Sequence, residues 1–128
     1  MLRVMMAAAV LCTAAIPAMA ADPAAGEKAF AVCKACHKVG EGAKNGVGPV
    51  LNGVVGRAAG SAEGYKYSDA MASSGITWDE ANLAEYLKNP KTKVAGNKMM
   101  FAGVKDDTKI ADIIAFLGQF NADGMKKQ

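Results

Sequence analysis

Cys33-Lys34-Ala35-Cys36-His37 reads as C-x-x-C-H, the spacing used for covalent haem attachment. Two cysteines three positions apart stand on one side of a helical turn, so both sulfurs can form thioethers to neighbouring vinyl groups. The next residue, His37, then presents its imidazole to the iron. Two other uses of these residues compete. A bare C-x-x-C can be a thiol–disulfide redox centre, but that chemistry expects a βαβ surround, and this chain has little strand pattern. Structural zinc takes four protein ligands. Cys33 and Cys36 with His37, the single histidine of the chain, fall one short. Covalent haem is the expectation that uses all three residues.

The third cysteine, Cys12, lies in a segment with the grammar of an export signal. Met1-Leu2-Arg3 supplies a positive end, 4–16 is almost wholly apolar, and Ala18-Met19-Ala20 offers small residues for a cut after Ala20. The apolar run is about 13 residues, short of the ~18–20 that cross a bilayer as a helix, so an uncleaved anchor is disfavoured. A lipidated Cys12 is disfavoured by the bulky Leu11 before it. The expected division is 1–20, a cleaved secretory signal peptide, and 21–128, one small domain with no membrane span. The expected location is periplasmic, a compartment where oxidised thiols persist. The net charge of +3, less Arg3 after cleavage, is too mild to imply nucleic-acid binding.

Working outward from the motif, helical periodicity predicts three helices and an all-α domain. The first covers roughly 24–33. The second, over 78–88, carries Leu83, Tyr86 and Leu87 on one side. Thr77 and Glu80 have the spacing of a capping box, and Asn89-Pro90 ends the run. The third, over 108–120, aligns Ile110, Ile113, Ile114, Leu117 and Phe120, with Asp106 and Asp107 suited to the positive end of its dipole. The tail from about Ala122 reads as frayed. Between the first two helices, 38–76 is Gly-rich and has no strong period, apart from a short turn of helix expected near 67–72. A loop that long is plausible if it wraps a large apolar cofactor. Large apolar side chains are sparse in 21–128, because alanines and the leader inflate the 52% hydrophobic share. The cofactor is therefore expected to fill the centre as well.

A haem iron has two axial positions, and His37 takes one. With no second histidine, the other is a methionine, water or open. Met71, Met99, Met100 and Met125 lie in the domain. Most methionines are core filler or surface residues. Met99 and Met100 stand out because 91–104 is a loop with Gly96 and Gly103, able to fold over one face of a ring.

The chain resembles the class I c-type cytochromes, close to mitochondrial cytochrome c and its soluble bacterial relatives. The matching stretches are the C-x-x-C-H motif, Gly48-Pro49-Val50-Leu51-Asn52-Gly53, Gly75-Ile76-Thr77-Trp78, Glu85-Tyr86-Leu87-Lys88-Asn89-Pro90-Lys91 and Gly96-Asn97-Lys98-Met99-Met100-Phe101-Ala102-Gly103. They span nearly all of 21–128. The resemblance implies a small cytochrome c fold, helices and long loops wrapped around one covalently attached haem c. It implies Met99 as the sulfur ligand and Met100 as its apolar neighbour. By the same resemblance, the Pro49 carbonyl accepts the free N–H of His37, and Tyr86 lies near the Met99 sulfur. Arg57, Tyr67 and Trp78 surround a buried propionate. Gly26 and Phe30 meet Ile113 and Phe116 where the first and last helices cross.

The function implied is a soluble periplasmic one-electron carrier, not an enzyme. Its partners would be membrane redox complexes: a cytochrome bc complex, a terminal oxidase, a reductase or a photosynthetic reaction centre. A lysine ring of Lys34, Lys38, Lys91, Lys93, Lys98 and Lys105 would steer a monomer to them. Asp106 and Asp107 stand where the mitochondrial pattern has lysines. Met71, Asn97 and Ala95 depart from an asparagine, a threonine and a proline of that pattern, which touches the polar network beside the haem and the stiffness of the ligand loop. The competing function is a haem enzyme or gas-binding cytochrome with an open sixth site.

Overall fold

The computed structural model describes residues 20–128, so the leader expected over 1–20 lies, but for its last residue, outside the described part. Five α-helices follow in order: α1 Pro23–Ala29, α2 Asp69–Ala72, α3 Glu80–Lys88, α4 Pro90–Lys93 and α5 Asp107–Leu117. A 3₁₀ turn, Phe30–Cys33, extends α1. Among the described residues the only strand-like pairings are two isolated bridges, Ala58 with Thr77 and Phe120 with Lys126. No helix there is long and apolar enough to cross a membrane.

The frame is the crossing of α1 and α5. Asp22 starts α1 by accepting the Ala24 N–H at 2.9 Å, with Pro23 at the first helical position. Its own N–H donates to Asp112 of α5 at 2.8 Å. At Gly26 the two backbones nearly touch: a Cβ there would lie 1.9 Å from the Asp112 carbonyl oxygen and 2.9 Å from Phe116 Cβ. Phe30, 1% exposed, meets Phe116 with ring centroids 5.3 Å apart. Ile110, Ile113, Ile114, Phe116 and Leu117 of α5 complete a core shared with Leu83 and Tyr86 of α3.

Three expectations need correction. The cap of α3 is Asp79, whose carboxylate accepts the Asn82 N–H at 2.7 Å, and not Thr77. Thr77 and Trp78 are held extended by the bridge to Ala58 and by the Trp78 N–H donating to the Arg57 carbonyl at 2.8 Å, so the helix begins later. The tail is not frayed. The Lys127 N–H donates to the Gln119 carbonyl at 2.7 Å and the Asn121 N–H to the Met125 carbonyl at 2.9 Å, around a turn at Gly124. Gly124 seats against Gly40, where a Cβ would lie 2.2 Å from the Gly40 oxygen. Finally, the loop 91–104 begins with helical turn α4, because Pro90 fixes a helical φ after Asn89 closes α3.

The stretch 38–76 is a loop apart from α2, whose cap Ser68 accepts the Met71 N–H at 3.1 Å. Side-chain bonds pin it. Asn52, 7% exposed, accepts from Gly40 N–H at 2.7 Å and donates to Gly40 carbonyl at 2.9 Å. Asn45 accepts the Val50 N–H at 2.9 Å and donates to the Glu63 carbonyl at 2.8 Å. Met71, the residue that departs from asparagine, is buried in the core.

Candidate functional site

Cys33 ends the 3₁₀ turn and the chain keeps turning, with the Cys36 and His37 N–H groups donating to the Cys33 carbonyl at 3.1 and 2.9 Å. Cys33 is half-buried against the core and Cys36 is exposed. Burial, reinforced by Cys36, pushes the Cys33 thiol up. A raised pKa keeps Cys33 as the thiol and disfavours it as a redox nucleophile.

His37 is fixed from two sides. Its Nδ1 lies 2.8 Å from the Pro49 carbonyl, the partner the resemblance implies, which makes Nδ1 the protonated nitrogen and turns Nε2 into a free lone pair. Burial pulls the imidazole down; the Pro49 bond opposes this, and the charge of Arg57 adds to it. A neutral ring is the form that ligates metal. Sequence reasoning missed Gly48 as a site residue. A Cβ there would stand 2.5 Å from His37 Cε1 and 2.9 Å from Nε2, so only glycine lets the ring lie flat on the loop. The Gly48 N–H also donates to the Cys36 carbonyl at 2.8 Å, tying this loop to the motif. The Gly48-Pro49 pair was the available signal, but nothing local reveals the ring above it.

On the other side of the sequence, the Tyr86 hydroxyl reaches the Met99 sulfur at 3.9 Å, and the Met99 N–H donates to Asn97 at 2.8 Å. Tyr86 packs on Trp78 with centroids 4.8 Å apart. Met100, by contrast, is fully exposed. Arg57 Nη1 donates to the Val50 and Asn52 carbonyls at 3.0 and 3.1 Å, while its Nε is buried with no partner among the described residues. Burial lowers its pKa, and the nearby Tyr67 acts against that shift. Tyr67 itself accepts the Ala62 N–H at 2.9 Å.

These features fit a haem. The orphaned Arg57 Nε is a buried donor, costly unless an acceptor meets it, and a propionate is such an acceptor. Leu51, Tyr67, Ile76, Leu87, Met99 and Val104 are half-buried, each packing on the core, and suit an apolar ring laid against them. Imidazole and thioether are the donor types that axial iron accepts.

A family model described as cytochrome c matches residues 23–121. This chain belongs to the cytochrome c family. Cytochrome c2 of Blastochloris viridis is 56% identical over 118 residues, 92% of this cytochrome and 93% of that one. Cytochrome c-550 of Bradyrhizobium diazoefficiens is 56% identical over 105 residues, 82% of this cytochrome and 77% of its own length. Among solved structures, cytochrome cH from Methylobacterium extorquens is 58% identical with a TM-score of 0.72, over 76% of this cytochrome and 97% of that chain. Cytochrome c2 from Rhodospirillum centenum is 37% identical with a TM-score of 0.75, over 78% and 98%. The cytochrome is accordingly an electron carrier and not an enzyme, and its cofactor is haem c attached through the C-x-x-C-H spacing of Cys33 and Cys36.

Tyr86 carries a pH prediction. Burial, with a smaller push from Tyr65, raises its phenol from 10 to about 12. A folded-state pKa above the unfolded one contributes stability that is complete below pH 10 and is lost as pH rises through about 12. Tyr86→Phe of the cytochrome is expected to change stability at pH 7 by less than about 1.5 kcal/mol. It should also flatten the fall in denaturation midpoint above pH 10. A fall as steep as the parent's would show that another group governs it.

Proposed function

We propose that the mature cytochrome, cut after Ala20, is a soluble periplasmic monomer in which His37 Nε2 and Met99 Sδ would ligate the haem iron. Bound haem supplies one iron that takes up and releases a single electron between its ferric and ferrous forms. Everything else is the work of the chain. Cys33 and Cys36 tether the ring, and the Pro49 carbonyl orients His37 and makes it more basic. The Met99 thioether favours ferrous iron and raises the potential, and burial of the site acts in the same direction. Arg57, Tyr67 and Trp78 make a buried propionate tolerable, with the unpartnered Arg57 Nε as its donor. The observation that carries the electron-carrier reading over an open-site enzyme is the Tyr86 hydroxyl 3.9 Å from the Met99 sulfur, a polar contact that holds the thioether in one place.

Partners are redox complexes with acidic docking sites: a cytochrome bc complex, a terminal oxidase, a reductase or a photosynthetic reaction centre. Of the six lysines, only Lys93 is paired with a carboxylate. Lys93 binds Asn82 and the Glu85 carboxylate. Lys98 binds the Lys66 carbonyl and lies over the Tyr65 ring, and Lys105 binds the Lys88 and Ala102 carbonyls. Lys34, Lys38, Lys91, Lys98 and Lys105 are exposed, keep their charge and carry the steering.

Carbon monoxide added to the reduced protein tests the ligand set. The parent spectrum should stay unchanged at neutral pH, whereas Met99→Ala should bind the gas at once. Each tenfold preference of the sulfur for ferrous over ferric iron is worth about 59 mV, so Met99→Ala should also lower the midpoint by roughly 100 mV or more. Rapid carbon monoxide binding by the parent would instead support an enzyme or gas-binding protein.

A further inference from the structure

The segment that carries Met99 has little packing of its own. Val94 is buried, but Ala95, Gly96, Lys98 and Met100 are exposed, and Gly96 adopts a left-handed φ of 86°. Its downstream end is fixed to α3. The Val104 N–H donates to the Leu87 carbonyl at 2.8 Å, and Lys105 reaches the Lys88 carbonyl at 2.7 Å and the Ala102 carbonyl at 3.2 Å. Gly103 passes so close that a Cβ would lie 2.3 Å from the Lys88 oxygen. The freedom left to Met99 therefore lies upstream, between α4 and the sulfur.

Asn97 closes that stretch. Its Nδ2 donates to the Pro90 carbonyl at 3.0 Å and the Val94 carbonyl at 2.9 Å, while its Oδ1 accepts the Met99 N–H at 2.8 Å. Pro90 opens α4 with a fully buried side chain and Val94 closes it, so the brace is anchored in a rigid turn. The chemistry is specific to a carboxamide. Two donors and one acceptor are needed at once; a threonine hydroxyl supplies one donor and a carboxylate supplies none.

We propose that Asn97 is a positioning residue for the axial methionine: it ties the Met99 main chain to both ends of α4 and thereby sets how readily the sixth site opens. This rests on Met99 being the ligand. The role fits the loss of stiffness at Ala95, where the mitochondrial pattern has proline. With an exposed alanine there, a side-chain brace does what a fixed φ would otherwise do.

The test uses the ferric holoprotein with imidazole as the probe, alongside the weak far-red absorption band of methionine-bound ferric haem. Met99→Ala should lose that band; if it does not, the ligand assignment fails, whatever Asn97 does. With the assignment standing, Asn97→Ala should bind imidazole about tenfold more tightly than the parent and lose the far-red band at a lower pH. Asn97→Asp, lacking the donors, should behave similarly. Ala95→Pro added to Asn97→Ala should recover much of the difference. Proline there gives up no bond, since the Ala95 N–H has no backbone acceptor among the described residues, and Val94 before it (φ −132°, ψ 85°) lies outside the α region that proline disfavours. Imidazole affinity is measured far below the unfolding midpoint, so a general loss of stability leaves it unmoved. Parental affinity and a parental pH midpoint in Asn97→Ala, or an increase that Ala95→Pro does not reduce, overturns the proposal.

Discussion

Cys33→Ala combined with Cys36→Ala should give a chain that keeps some helix but no fixed tertiary structure. The reason is the distribution of apolar contacts. The buried core is built mainly by Phe30, α3 and α5, and 38–76 supplies it only Val54 and Met71. Leu51, Tyr67, Ile76, Leu87 and Val104 reach it only as half-buried neighbours. The loop 38–76 that carries three of them has α2 as its one regular α-helix. Small domains are held by about 5–15 kcal/mol, so one large apolar face left to water is enough to remove the whole margin. The buried Arg57 Nε adds to the penalty, since without a propionate it keeps its charge and lacks an acceptor. The measurement is circular dichroism of the exported, haem-free double variant. Far-ultraviolet helix signal should persist, and near-ultraviolet structure and cooperative melting should vanish. Native-like near-ultraviolet bands and a sharp thermal transition would mean that the protein core suffices alone.

The second large effect is expected at Gly26, where two tendencies oppose each other. In an exposed helix, glycine to alanine stabilises by about 1 kcal/mol. Here the new Cβ would lie 1.9 Å from the Asp112 carbonyl oxygen, 2.4 Å from its carbon and 2.9 Å from Phe116 Cβ. Two of those atoms are backbone, so no side-chain rotation relieves the clash; α1 must back away from α5. Overpacking costs about 1–3 kcal/mol when side chains can yield, and more when backbone must move. Gly26→Ala should therefore destabilise the holoprotein by about 3 kcal/mol or more. At about 4–8 °C per kcal/mol for a domain of this size, the melting temperature should fall by roughly 15 °C. Glu27→Ala, one position on and exposed, should stay within about 0.5 kcal/mol of the parent. A Gly26→Ala protein that melts with the Glu27→Ala control would mean that the helices are free to part at this crossing.

Features that depend on neighbours in sequence were legible from the chain alone. The C-x-x-C-H pattern identifies its chemistry because both sulfurs and the imidazole come from one turn. The spacing of Ile110, Ile113, Ile114 and Leu117 places α5, and Asp106 at its start accepts the Thr108 N–H at 2.9 Å because a cap acts within one turn. The cap of α3 was misplaced, since Thr77 and Asp79 are both plausible locally and only the pairing of Thr77 with Ala58 decides between them. The tail was misjudged for the same reason: its turn holds because Gly124 meets Gly40, a residue from the far end of the domain. Gly48 beneath His37, the pairing of Lys93 with Glu85, and the three bonds of Asn97 likewise depend on through-space distances. Sequence alone determined which cofactor chemistry this chain can support, because that resides in residue types at short spacing. Tertiary structure decided how closely each group is held, because close approach of backbones and partner choice are settled only when distant segments meet.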